Sequence, residues 1–189
     1  VGDVMYDAVL FYGKRIEREN GILDSLALKN KQYILATLHR QENTDNRDRL
    51  GTILDGLELA SLPVILPLHP RTRKRISEFE IEDSSRVRFI EPVSYLDMLV
   101  LERHAEVIAT DSGGVQKEAY FNGVPCVTLR SETEWTELIK FGWNQLADLT
   151  SGESIAKSIN ASISTSGEKD IFFGDGESSE KIVDLLYQM

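Results

Sequence analysis

The chain has 189 residues, 41% of them hydrophobic and 28% charged, which is typical of one globular domain that can bury a core. Its formal net charge of -10 disfavours binding to nucleic acid or to an anionic membrane, but not binding of a small anion held by local positive groups. The single cysteine, Cys126, excludes an intrachain disulfide, and its apolar neighbours predict a buried, inert thiol. We expect a cytoplasmic protein without a membrane span or signal peptide, and the start at Val1 rather than Met suggests a piece of a longer protein.

Strand and helix patterns alternate along the chain. The predicted strands are QYILATLH, PVILPLHP, VRFIEP, EVIAT, PCVTLR and a short NQLA. The helical patterns are GDVMYDAVLFYGKRIE before the first strand, then RDRLGTILDGLELA, TRKRISEFE, SYLDMLVLERHA, VQKEAYFNG, ETEWTELIKFG, SGESIAKSINASI and SSEKIVDLLYQM. This alternation predicts an α/β fold, a three-layer Rossmann-like parallel sheet with helices on both faces.

Unusual polar segments follow four of the predicted strands. LHRQEN follows the first strand, LHPRT the second, TDSGG the fourth and LRSETE the fifth. Right-handed crossovers place all strand-to-helix loops at one edge of a parallel sheet, where ligands bind. We therefore expect these four segments to meet in one site.

The segment TDSGG ends a strand and starts a helix with two adjacent glycines. Asp111 or Ser112 can cap the helix, while Gly113 and Gly114 leave backbone N–H groups uncovered, an arrangement that binds anions. The segment therefore predicts a phosphate site, with a diphosphate favoured. A tight turn with an ordinary cap is the alternative, and the spacing matches neither the P-loop nor the dinucleotide-binding motif.

Two charged residues flank this loop in the predicted fold. Glu118, one turn into the helix, can accept hydrogen bonds from ribose hydroxyl groups, or it is a solvated helix carboxylate. Arg130, at the end of the fifth strand, can pair with a phosphate, or it pairs with Glu132 or Glu134 at the surface.

Two of the three histidines, His39 and His69, directly follow apolar strands. Each is a candidate acid or base near pH 7, with a hydrogen-bonded structural histidine as the alternative. Glu42 and Asn43 either orient a ligand or cap the next helix, and His104 is explained by the helix dipole. No spacing here indicates a metal site or a GxSxG nucleophile, and we interpret the two tryptophans as core residues.

Together these segments resemble the C-terminal half of the non-hydrolysing UDP-N-acetylglucosamine 2-epimerase family. The stretches that carry the resemblance are GDVMYDA, TLHRQEN, PLHPRT, EPVSYLDML, TDSGGVQKEA and RSETEWTELIKFGWN, and they extend from Gly2 to about Leu146. The resemblance implies that residues 1–189 are the UDP-binding C-terminal domain of a two-domain, GT-B-like enzyme whose N-terminal domain is absent from this chain. It also implies a UDP-sugar substrate, no metal or other cofactor, and a homodimer for the full-length protein.

The resemblance further implies roles for individual residues. Ser112, Gly113 and Gly114 would hold the diphosphate, and Tyr95 to Met98 would lie near the uracil. His39 would be catalytic, near the departing UDP. The remaining implied ligand-binding residues are Glu118 for the ribose, Arg130 for a phosphate, and Arg40, Glu42 and His69 along the cleft.

The implied reaction is removal of the proton at C2 of the sugar as UDP leaves C1, followed by return of UDP and of a proton to the opposite face. The carboxylates that act at the sugar would belong to the missing half, so we expect this chain alone to be inactive. ETEWTELIKFGWN departs from the Glu-Arg-Pro-Glu version of the family, and Leu38 occupies a position usually small, which keeps a UDP-2,3-diacetamido sugar open as the substrate. The predicted fold is also compatible with a GT-B glycosyltransferase, with a sugar-nucleotide sensor that does not need His39, and with a flavodoxin-like interaction domain without a ligand.

Overall fold

A parallel sheet forms the middle layer of the computed structural model, which describes residues 1–16, 21–81, 85–168 and 170–188. Within these ranges the sheet has six strands in the order β3-β2-β1-β4-β5-β6. The strands are β1 Ile34–Thr37, β2 Val64–Pro67, β3 Val87–Ile90, β4 Val107–Thr110, β5 Cys126–Thr128 and β6 Asn144–Leu146. This is the strand order of the Rossmann fold, so the predicted fold class and all six predicted strands are confirmed.

Helices lie on both faces of this sheet. In the described part of the chain they are α1 Val4–Ile16, α2 Gly21–Ser25, α3 Gln41–Thr44, α4 Arg47–Glu58, α5 Pro70–Glu78, α6 Tyr95–His104, α7 Gly113–Phe121, α8 Thr136–Lys140, α9 Gly152–Ala161 and α10 Ser178–Tyr187. The short helices α2 and α3 were not predicted. Among the described residues, no helix has the length and apolar character needed to cross a membrane.

Alternating side chains of the strands bury two separate apolar clusters. Ile34 points to the face covered by α4 and α9, whereas Leu35 points to the face covered by α1, α6 and α7. Cys126 belongs to the second cluster, so its predicted burial is confirmed, and burial raises the pKa of its thiol. The strands β1, β2, β4 and β5 are buried on both faces and are mostly apolar, which is the pattern that predicted them.

One predicted helix is wrong in extent. ETEWTELIKFG predicted a helix of three turns, but α8 covers only Thr136–Lys140. The Thr133 hydroxyl accepts from the Trp135 backbone N–H at 3.1 Å and donates to Gln116 Oε1 at 2.6 Å, which holds the preceding residues in an irregular turn. Trp143 is a core residue as predicted, but Trp135 is only partly buried, and its indole N–H donates to the Gly113 carbonyl at 2.9 Å.

The neighbouring strands β1 and β4 mark the point where the strand order reverses. The chain runs from β1 outward to β2 and β3, then crosses back to β4 and continues outward to β5 and β6. The loops beyond β1 and β4 therefore diverge and leave a crevice at their carboxyl ends, where open α/β sheets bind ligands.

Helix α4 contains a matched pair of glycines that tests this packing. A Cβ at Gly56 would lie 2.6 Å from Cβ of Ile155 in α9, whereas a Cβ at Gly51 would meet no atom within 4 Å. We expect Gly51→Ala to raise the free energy of unfolding by about 0.5–1 kcal/mol, because alanine favours a helix. Gly56→Ala should lower it, because the two helices must separate. Urea unfolding of both variants measures the difference, and the same sign for both would contradict the packing described here.

Candidate functional site

A buried carboxylate joins the two loops beside the crevice. Asp111, fully buried after β4, accepts hydrogen bonds from the backbone N–H groups of His39 at 3.1 Å and Arg40 at 3.0 Å, and from Asn43 Nδ2 at 3.1 Å. Asn43 is also buried and donates to the Leu129 carbonyl at 2.9 Å. The segments after β1, β4 and β5 are thus held together, as their positions in the sequence predicted.

The start of α7 leaves two amide groups exposed to a ligand. Ser112 is the cap of α7, and its hydroxyl accepts from the Val115 N–H at 3.4 Å. The first-turn N–H groups of a helix have no partner within the helix, and those of Gly113 and Gly114 bond to none of the described residues. Together with the helix dipole they form an anion-binding surface.

Neither glycine in this loop is required by the turn itself. Gly113 and Gly114 are both absent from the described glycines with positive φ. A Cβ at Gly113 would come no closer than 3.5 Å to its nearest neighbour, Trp135 Nε1, which is an ordinary contact. The packing of the protein therefore leaves space for a Cβ at Gly113. This favours close approach of a ligand, rather than a tight turn, as the reason for glycine at this position.

The two predicted site histidines lie side by side. Their ring centroids are 5.8 Å apart, and His39 Nδ1 lies 3.3 Å from Asp111 Oδ1. A carboxylate at Nδ1 favours the tautomer that keeps the proton there, so Nε2 is left to act on a ligand. His69 Nδ1 accepts from the Arg71 N–H at 3.2 Å and caps α5, which is the hydrogen bond expected of a structural histidine, and His69 also lines the cavity described next.

A cavity of about 310 Å³ opens over the carboxyl ends of β1, β2 and β3. Its walls come from the loops after these strands and from the first turns of α6 and α7. The lining residues are Thr37, Leu38, His39, Pro67, His69, Pro92, Val93, Ser94, Tyr95, Met98, Ser112 and Val115. This largely apolar wall suits an uncharged ring system more than a phosphate.

On the other side of the α7 terminus the site is charged. Arg130 is only 5% exposed, and it donates from Nε to Glu42 at 2.9 Å and from Nη1 to Glu134 at 3.1 Å. Its Nη2 donates to no residue in the described ranges. Arg40 Nη2 lies 3.9 Å, and Glu134 Oε2 3.7 Å, from the position of a Cβ at Gly113. The pairing of Arg130 with Glu134 was foreseen as an alternative, but the pairing with Glu42 was not.

A third group of polar residues lies between α6 and α7. Glu118 is 7% exposed, so it is not the solvated carboxylate of the alternative interpretation. Glu102 is fully buried beside it. Burial raises the pKa of both carboxyl groups, and the neighbouring Glu118 raises that of Glu102 further. Burial also raises the pKa of Tyr95, to about 12, so its hydroxyl keeps its proton.

The predicted site residues thus gather around one helix terminus, but not in one cavity. His39, His69 and Ser112 line the cavity described above. Gly113 and Gly114 form the terminus, with Arg40 beside it. The remaining predicted residues flank it, namely Glu42 and Arg130 on the charged side and Glu118 behind Tyr95.

Sequence reasoning missed two buried carboxylates in this region. Asp111 was considered only as a helix cap, although a carboxylate between a buried strand and a glycine pair is also placed to bond the neighbouring loop. Glu102 follows the apolar run MLVL, and a charged residue directly after such a run in a helix that lies against a sheet was the available signal.

Comparisons with known proteins agree on one family. The family model described as UDP-N-acetylglucosamine 2-epimerase matches residues 1–187. A UDP-N-acetylglucosamine 2-epimerase homolog of Methanococcus maripaludis is 47% identical over 98% of this chain and 53% of its own length. A UDP-2,3-diacetamido-2,3-dideoxy-D-glucuronate 2-epimerase of Pseudomonas aeruginosa is 40% identical over 100% of this chain and 52% of its own length.

A solved structure is similar over the whole chain. The UDP-GlcNAc 2-epimerase of Methanocaldococcus jannaschii, in complex with UDP-GlcNAc and UDP, has a TM-score of 0.89 and 38% identity. The match covers 100% of this chain and 54% of that one. The chain therefore spans about half the length of the relatives that it matches.

The role of Asp111 can be tested by truncation. Asp111→Ala removes the acceptor of three hydrogen-bond donors, and each buried donor left without a partner costs about 1–3 kcal/mol. We expect the free energy of unfolding to fall by about 3 kcal/mol or more. Asp48→Ala, on the exposed first turn of α4, is the control and should change little. Urea unfolding measures both, and equal small effects would contradict the role given to Asp111.

The buried Glu102 predicts a pH-dependent stability. Folding raises the pKa of Glu102 above its ordinary value of 4.5, so the folded state binds more protons and stability falls as pH rises from there to the folded pKa. Glu102→Gln removes this loss. We expect the variant to gain stability over the parent as the pH rises above about 4.5, by at most about 1.4 kcal/mol per pH unit. Urea unfolding across this range measures the gain, and a difference independent of pH would refute it.

Proposed function

Because the chain belongs to the UDP-N-acetylglucosamine 2-epimerase family, we propose that it is the nucleotide-binding C-terminal half of an enzyme that interconverts UDP-N-acetylglucosamine and UDP-N-acetylmannosamine. Its relatives are about twice as long, so the second half of the site and the complete reaction belong to the whole protein. The family model favours an epimerase over a glycosyltransferase, a sensor or a ligand-free domain.

The observation that carries this proposal is the start of α7. It presents N–H groups that bond to none of the described residues, between an apolar cavity and a buried arginine. In the proposed complex the diphosphate lies on Ser112, Gly113 and Gly114, and the uracil lies in the cavity near Tyr95. A solved relative with this fold is named as a complex with UDP-GlcNAc and UDP, which supports a nucleotide diphosphate as the ligand.

The flanking residues complete the nucleotide site in this proposal. Glu118 accepts from the ribose hydroxyl groups, and Arg130 reaches a phosphate oxygen with Nη2, which donates to none of the described residues. Glu42 accepts from Nε of Arg130 and Glu134 from Nη1, and these bonds hold the guanidinium group in place. Arg40 lies beside the helix terminus and adds positive charge against the diphosphate.

The proposed chemistry is acid–base elimination and re-addition. A base removes the proton at C2 while the C1–O bond to UDP breaks, which gives a 2-acetamidoglucal and free UDP. UDP then returns to C1 as a proton reaches the opposite face of C2. When both ring nitrogens of His39 carry protons, Nδ1–H donates to Asp111 and Nε2–H donates to the leaving diphosphate, which stabilises the charge that develops there. The base at the sugar belongs to the other half of the protein.

A UDP-2,3-diacetamido sugar is the second candidate substrate. The Pseudomonas aeruginosa relative named for such a sugar is 40% identical to this chain. The segment that departs from the commoner family pattern includes Glu134 and Trp135, and both lie against Gly113 at the centre of the site. The homodimer, the cytoplasmic location and the absence of nucleic-acid partners, metals and cofactors remain predictions.

Binding of UDP to this chain tests the nucleotide site. The methyl group introduced by Gly113→Ala fits in the ligand-free protein, but it would occupy the position that we assign to the diphosphate. We expect the variant to keep its thermal stability and to bind UDP about tenfold more weakly or worse, which corresponds to about 1.4 kcal/mol. Gly51→Ala, in α4 where a Cβ would meet no atom within 4 Å, is the matched control. Calorimetric titration measures both, and unchanged affinity in Gly113→Ala would contradict the assigned position.

Exchange at C2 tests the reaction. The full-length protein in heavy water with UDP-N-acetylglucosamine should incorporate deuterium at C2 and form the manno epimer, as followed by NMR. The 189-residue chain alone should show no exchange. His39→Gln in the full-length protein should slow exchange by about 100-fold or more while UDP still binds. Binding of UDP without exchange, together with exchange on a UDP-2,3-diacetamido sugar, would select the second substrate.

A further inference from the structure

The indole ring of Trp135 is hydrogen-bonded to the first residue of α7. Its Nε1–H donates to the Gly113 carbonyl oxygen at 2.9 Å, across 22 positions of the chain. A helix carbonyl ordinarily accepts from the N–H group four residues further on, and its oxygen has a second lone pair. The indole is therefore an additional donor, and it comes from the irregular turn before α8 rather than from α7 itself.

Two further contacts hold Trp135 in place. Its backbone N–H donates to the Thr133 hydroxyl at 3.1 Å, and that hydroxyl donates to Gln116 Oε1 in α7 at 2.6 Å. Lys117 Nζ lies 4.6 Å from the ring centroid of Trp135, which is within the range of a cation–π contact. Asp3 Oδ2 lies 2.5 Å from the same Nζ and fixes its position. The indole N–H is thus held in one orientation, so its bond to the carbonyl costs little entropy.

This bond acts on a peptide group at the helix terminus. The carbonyl of Gly113 and the N–H of Gly114 belong to one planar trans peptide group, so they point in opposite directions. The indole holds the oxygen end, and the N–H end points out of the first turn of the helix. That N–H group bonds to none of the described residues. A donor on the carbonyl also polarises the peptide group, which makes its N–H a stronger donor.

We propose that Trp135 is a positioning residue for the diphosphate, because its indole N–H orients and polarises the peptide group whose Gly114 N–H donates to a phosphate oxygen. This inference rests on the proposed function, in which the diphosphate lies at the start of α7. Trp135 acts through the Gly113 carbonyl and not by contact with the nucleotide. The N–H group of its ring therefore matters more for binding than the size of the ring.

Two substitutions separate the N–H group of Trp135 from the size of its ring. Trp135→Phe keeps a large aromatic ring but has no N–H. Trp135→His loses the larger ring, but its Nε2 has the same position relative to Cγ as the indole nitrogen and carries a proton in one neutral tautomer. At about pH 8 we expect Trp135→Phe to bind UDP about fivefold more weakly than the parent chain, and Trp135→His to stay within about twofold of it. Calorimetric titration measures both, and packing of the ring alone predicts the opposite order.

The second tryptophan of the chain is the matched control. The indole N–H of Trp143 also donates to a backbone carbonyl, that of Glu168, at 2.6 Å. Trp143→Phe removes a hydrogen bond of the same kind that does not involve the start of α7. We expect this variant to bind UDP as the parent does, and an equal loss of affinity in Trp143→Phe and Trp135→Phe would overturn the inference.

The other outcomes also decide the inference. Unchanged UDP affinity in Trp135→Phe overturns it and leaves the proposed function standing, as does a loss in Trp135→His that is as large as in Trp135→Phe. A parent chain that binds no UDP overturns both. If Trp135→Phe does not fold, the indole N–H signals of the parent in a proton–nitrogen NMR spectrum are the second test. UDP should move the Trp135 signal downfield and leave the Trp143 signal in place, because the phosphate charge polarises the peptide group between them. No shift of the Trp135 signal when UDP binds overturns the inference.

Discussion

The hydrogen bonds of Asp111 are the interaction on which the site depends. β1 and β4 are neighbours in the sheet, but the chain leaves them toward opposite edges, so nothing in the strand pairing fixes the loops beyond their ends. The buried carboxylate supplies that constraint, because it accepts from two backbone groups of the first loop while Ser112, the next residue, starts α7. The histidine ring and the helix terminus are thereby held in a fixed relation.

The charge distribution explains how a chain with a net charge of -10 can offer an anion site. The positive potential is local, since it comes from the helix terminus and from Arg40 close to it. Glu42 and Glu134 neutralise Arg130, so its burial does not leave an isolated charge, and their side chains are about half exposed. The carboxylates support the arginine from the solvent side.

Much of the fold could be predicted from the sequence, because short strands buried on both faces leave a distinct apolar signature between polar loops. The site residues at the strand ends could be predicted for the same reason, since the topology alone brings those ends together. The hydrogen bonds of Asp111 could not, because they join residues 68 to 72 positions apart in the chain, and no local pattern encodes such a pair. The irregular turn before α8 was not predicted for the same reason, because Thr133 bonds to Gln116 of α7.

The contact between β1 and β4 also has a consequence for how the chain folds. Paired residues such as Thr37 and Thr110 are separated by 73 positions, so the segment between them must be looped out before this pairing forms. Closing such a loop costs entropy that only later contacts repay, which makes parallel pairings of this kind slow to form. During synthesis, β1 can pair with β2 before β4 exists. The crevice between β1 and β4 is therefore among the parts of the molecule that mature late, and an incompletely folded chain would expose its apolar strands before it acquired a nucleotide site.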